Sequence, residues 1–73
     1  MNTYFYVQAI GAGELVTQLG PYFSFDHAAD VMINHLHDFT KGSWYGLAQI
    51  AEFTMIDNKE ELINVKIIEQ RGN

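Results

Sequence analysis

The chain has 73 residues and a mass of 8.3 kDa, enough for one small domain and no second one, and it contains no cysteine, which excludes disulfides, thiolate metal sites and cysteine nucleophiles. Nine acids against four bases leave a net charge of −5, unevenly distributed: residues 1–40 carry Glu14, Asp26, Asp30 and Asp38 and no Lys or Arg, while Lys41, Lys59, Lys66 and Arg71 all fall in the second half. Affinity for phosphate backbones requires clustered bases, so direct binding of nucleic acid is not expected and a partner with a basic surface is favoured.

Thr3 to Ile10 alternates, with Phe5, Val7 and Ala9 on one face and Tyr4, Tyr6 and Gln8 on the other, the pattern of a strand with one wet side. Gly11-Ala12-Gly13-Glu14 supplies a turn, and Leu15 to Leu19 reads as a second short strand that stops at Gly20-Pro21, so the two are expected to form a hairpin. From Ser24 the period becomes helical. Ser24 is the expected N-cap, Phe23 is expected to staple the entry on Ala28, and a helix is expected over about 24–41 with Gly42 as its left-handed terminator. Its apolar arc comprises Phe25, Ala28, Ala29, Met32, Ile33, Leu36 and Phe39, with Leu36 at the centre. The other arc holds Asp26, His27, Asp30, Asn34, His37, Asp38 and Lys41. Residues 43–49 carry a mixed signal. Ile50 to Ile56 is read as a strand, Asp57-Asn58-Lys59-Glu60 as a turn, and Leu62 to Ile68 as a last strand with Ile63, Val65 and Ile67 on one face. The tail 70–73 has nothing apolar to anchor it and is expected to fray. The order strand, strand, helix, strand, strand gives an α+β fold: a two-layer ββαββ domain, one antiparallel sheet with a single helix on one face.

No constellation supports catalysis or a cofactor. His27, His35 and His37 do not share the one-turn spacing on one helix face that chelation from a helix requires, so no metal site is expected. Gly11-Ala12-Gly13 lacks the third glycine and the following helix of a phosphate loop. Ser24 is explained as a cap, Ser43 lies in no strand-turn-helix elbow, and Glu60-Glu61 read as solvated turn charges. The chain is therefore expected not to be an enzyme and to carry no cofactor. What stands out is ten aromatic residues in so short a chain, more than a small core can hide. Tyr4 and Tyr6, facing away from the helix, are candidate anchors for a protein partner, and Asp26, Asp30 and Asp38 form a one-signed helix face suited to steering a basic one. No apolar run reaches the length of a membrane span and the N-terminus lacks the features of a secretory signal, so a soluble cytoplasmic protein without membrane partners is expected.

In size, acidity, lack of cysteine and the strand-strand-Ser24-capped-helix-strand layout from Thr3 to about Ile68, the chain resembles the small proteins that phages and other mobile elements encode to inhibit host machinery: anti-CRISPR, anti-restriction and polymerase-inhibitor types. The resemblance implies an acidic inhibitor of a basic nucleic-acid-processing protein, acting in the host cytoplasm without catalysis. It maps no functional residue. The alternative is a module that associates with copies of itself through strand edges and exposed aromatics to form a homodimer.

Overall fold

A computed structural model describes residues 2–40 and 46–70, with the backbone alone for 35–40 and 70. Four strands, β1 (Thr3–Gly11), β2 (Glu14–Tyr22), β3 (Leu47–Ile56) and β4 (Lys59–Gln70), form one antiparallel sheet in the order β2-β1-β3-β4, and one helix, α1 (Phe25–Thr40), connects the two hairpins. This is the expected α+β ββαββ architecture. Both hairpins close through two residues at positive φ, Ala12 and Gly13 in the first, Asp57 and Asn58 in the second, the turn whose twist matches that of the flanking strands.

The alternation in β1 assigns the layers. Phe5, Val7 and Ala9 are buried beneath α1, where they meet Ala28 and Met32 of the helix and Ala48 and Ile50 of β3. Ser24 caps the helix as expected, its Oγ accepting from the His27 amide at 3.1 Å. Of the expected apolar arc, Phe25, Ala28, Ala29 and Met32 pack into the core as expected; Ile33, roughly 100° beyond Met32, is instead 67% exposed, and Val31 on the other flank packs against the core. Phe23 is 78% exposed and does not staple the helix entry. The side chains of Leu36 and Phe39 lie outside the described residues, as do Lys41, Gly42 and 43–45 entirely.

Strand boundaries also move in β2, β3 and β4. β2 does not stop at Gly20-Pro21 but runs through it to Tyr22, because β2 is an edge strand and the ladder slips by one residue between Phe5 and Val7, so proline's missing amide is tolerated. β3 begins at Leu47, resolving the mixed signal at 47–49, and β4 begins at Lys59 and takes in Gln70; residues 71–73 lie outside the described residues. Within β4 the expected grouping of Ile63, Val65 and Ile67 fails. The ladder places Leu62 opposite Phe53 and Asn64 opposite Glu52, leaving Ile63 as an extra residue, and a second slip leaves Ile68 extra. Leu62, Val65 and Ile67 therefore share the face turned away from the helix, opposite Phe53, Ala51 and Gln49.

The helix lies over β1, β2 and the near side of β3 and stops short of β4. The β4 residues on the helix side of the ladder are polar, Lys59, Glu61, Asn64, Lys66 and Glu69, and the Lys66 ammonium reaches over the Phe25 ring at 5.3 Å from its centroid.

Candidate functional site

Among the described residues, the sheet face that the helix leaves open gathers aromatic, amide and aliphatic side chains on one surface. The register puts Tyr4, Tyr6, Gln8 and Ile10 of β1, Leu47, Gln49, Ala51, Phe53 and Met55 of β3, and Glu60, Leu62, Val65 and Ile67 of β4 on it, with Leu15 and Gln18 from β2. At one end Tyr4, Tyr6 and Phe53 form a ring cluster: Tyr4 stacks on Phe53 at 6.3 Å, and Tyr6 meets both edge-on, at 5.9 Å from Tyr4 and 5.4 Å from Phe53. Across the middle runs a chain of amides, Gln49 Nε2 donating to Gln8 Oε1 and Gln8 Nε2 to Gln18 Oε1, each at 2.8 Å. Beside these lie Met55, Leu62, Val65 and Ile67, all exposed.

Glu60 is not a solvated turn charge. It sits in β4 opposite Met55, and its Oε2 accepts from the Tyr4 hydroxyl at 2.7 Å and from the Tyr6 hydroxyl at 3.1 Å. Desolvation on the sheet, followed by the hydrogen bond to Glu60 and its charge, pushes the Tyr4 phenol up to about 12 and raises Tyr6 for the same reasons. Near neutral pH the arrangement therefore holds two protonated phenols as donors on one carboxylate.

The raised phenol has a measurable consequence. Between pH 10 and about 12 the unfolded Tyr4 has lost its proton while the folded one retains it, so the unfolded state binds fewer protons and stability falls with rising pH. The contribution is complete below pH 10 and is lost as pH rises through the folded value. In Tyr4→Phe, thermal melts across this range are expected to decline less steeply than in the wild type; identical slopes would contradict the assignment.

The five residues expected to bind a partner do not form one surface. Tyr4 and Tyr6 lie half-buried on the open face, whereas Asp26 and Asp30 are exposed on the helix, in the other layer. Asp38 belongs to α1 with its side chain outside the described residues. Sequence reading missed Glu60 and the aliphatic half of the face, since both depend on pairing between β1, β3 and β4 and not on local pattern. Of the histidines, His27 packs against the Tyr22 ring at 4.8 Å, and the His35 and His37 side chains lie outside the described residues; among the described residues no three His, Asp or Glu side chains are grouped as metal ligands. Among the described residues no helix is long and apolar enough to cross a membrane. Comparison with family models, with curated proteins and with solved structures returned no match.

Proposed function

We propose that the protein is a non-catalytic protein-binding module whose docking surface is the open face of its sheet. The observation that carries this reading is the exposure of Met55, Leu62, Val65 and Ile67 side by side on a face that already holds a tyrosine cluster. Scattered apolar residues on a surface are ordinary, but a contiguous group bordered by tyrosines is the composition of an interface centre, where aromatic anchors supply area at little cost in rotamer freedom.

A second reading, an acidic inhibitor of a basic nucleic-acid-processing host protein, is favoured by a different observation. Asp26 and Asp30 are exposed on α1, and residues 1–40 contain no base to offset them. In that reading the helix layer meets the partner and the tyrosines, on the far face of the sheet, contribute nothing to steering.

Capture from cell extract by the immobilised protein, at low and high salt, separates the two. Docking on the open face is expected to persist at high salt, to disappear in Ile67→Glu and to survive reversal of Asp26 and Asp30 to Lys. Capture that disappears at high salt and on charge reversal, yet tolerates Ile67→Glu, would replace the first reading with the second, and capture indifferent to both sets would remove both.

A further inference from the structure

We infer that the occupant of the open face is a second copy of this chain, packed sheet against sheet, with the two helices on the outside of a four-layer dimer. The inference rests on the reading of the open face as a docking surface and adds what docks there.

Charge selects the copy over a basic partner. By the strand register, Glu60 is the one charged residue that the described strands place on the open face, and its carboxylate already accepts two phenol hydroxyls. A basic protein would find almost nothing there to pair with. Two copies that each carry −5 would repel if they met through their helices, where Asp26 and Asp30 are exposed, but contact through the open faces puts those acids on opposite outer surfaces. Face-packed sheets lie ~10 Å apart and each helix adds its own layer, so the acids are separated by well over the ~8 Å screening length of physiological salt.

Area and shape agree. A two-layer molecule is thinnest across its layers, and the two longer dimensions of this one, 38 and 24 Å, bound a face of roughly 900 Å², against the ~800 Å² per partner of a standard stable interface. Leu62, Val65 and Ile67 would be removed from water, and the Gln18-Gln8-Gln49 chain presents both donors and acceptors, which suits it to meet an identical chain. Pairing through strand edges fits less well. The β2 edge is interrupted at Gly20-Pro21, and the β4 ladder slips at Ile63 and again at Ile68, so neither edge offers a regular template.

Sedimentation equilibrium and native mass measurement from micromolar to sub-millimolar protein test this. The wild type is expected to reach twice the 8.3 kDa chain mass, and Ile67→Glu and Leu62→Glu, both at exposed positions that leave the core intact, each to weaken self-association roughly tenfold or more. Ile33→Glu, equally exposed but on the helix layer, is expected to leave it unchanged, with circular dichroism confirming that every variant is folded. A wild type that stays monomeric throughout would overturn the second copy while leaving the open face to be judged by the capture experiment. A dimer unaffected by either glutamate would place the contact elsewhere, for example along β4 edges, and overturn the inference.

Discussion

Met32→Ala is expected to lower the stability of the fold by about 2–5 kcal/mol, as deletion of a buried side chain that leaves a cavity does. Met32 is fully buried, and it is the largest helix side chain in a core otherwise made of Phe5, Val7, Ala9, Ala28, Ala48 and Ile50. Three of those seven residues are alanines, so little material surrounds Met32 that could collapse into the void. Total stability at this length is roughly 4–11 kcal/mol, and the loss therefore takes a large share of it. Ile33→Ala, one position on but exposed, is expected to change the denaturant midpoint only slightly. Equal shifts for the two would show that the helix is turned differently on the sheet.

Gly20→Ala is expected to be the most damaging change outside the core. Gly20 has φ of +130°, and a Cβ there would lie 2.9 Å from the Phe5 carbonyl oxygen and 3.2 Å from the Tyr6 ring. The conformation costs a side-chain-bearing residue about 1–3 kcal/mol, and the contact with a backbone oxygen adds to this because β1 would have to move. Gly13→Ala is the matched comparison, since Gly13 also has positive φ, +78°, but its Cβ would meet nothing within 4 Å. Gly13→Ala is expected to be the milder change, with a backbone cost and no clash, and urea melts of the two variants should show the larger loss for Gly20→Ala. The displacement would fall on Phe5 and Tyr6, so Gly20→Ala should also disturb the tyrosine cluster, visible as altered tyrosine absorbance.

The features of this fold that were legible in the sequence are those governed by near neighbours. The alternation of Tyr4 to Ala9 assigned both faces of β1, Ser24 marked the helix start, and the turn residues at 12–13 and 57–58 joined the hairpins. What was not legible depends on the ladder. Gly20-Pro21 has the composition of a stop, and only its place on the outer strand of the sheet lets β2 continue through it. In β4 a period of two groups Ile63 with Val65, but the extra residue at Ile63 shifts the parity and brings Leu62 onto the open face instead. Glu60 is separated from Tyr4 by 56 positions, and no local pattern marks it as the acceptor for two phenols. The helix arc differs at its margin: spacing groups Ile33 with Met32, but the helix rests on the sheet through Ala28 and Met32 with Val31 on the packed flank, which leaves Ile33 exposed.

Side-chain methyl spectra recorded over a dilution series would test most directly the claim that the open face is a contact surface between copies. The methyl signals of Met55, Leu62, Val65 and Ile67 are expected to shift as the protein is diluted, while those of Ile33, exposed on the opposite layer, stay fixed. Open-face methyls that do not respond to dilution, or a response confined to Ile33 and the helix, would contradict it.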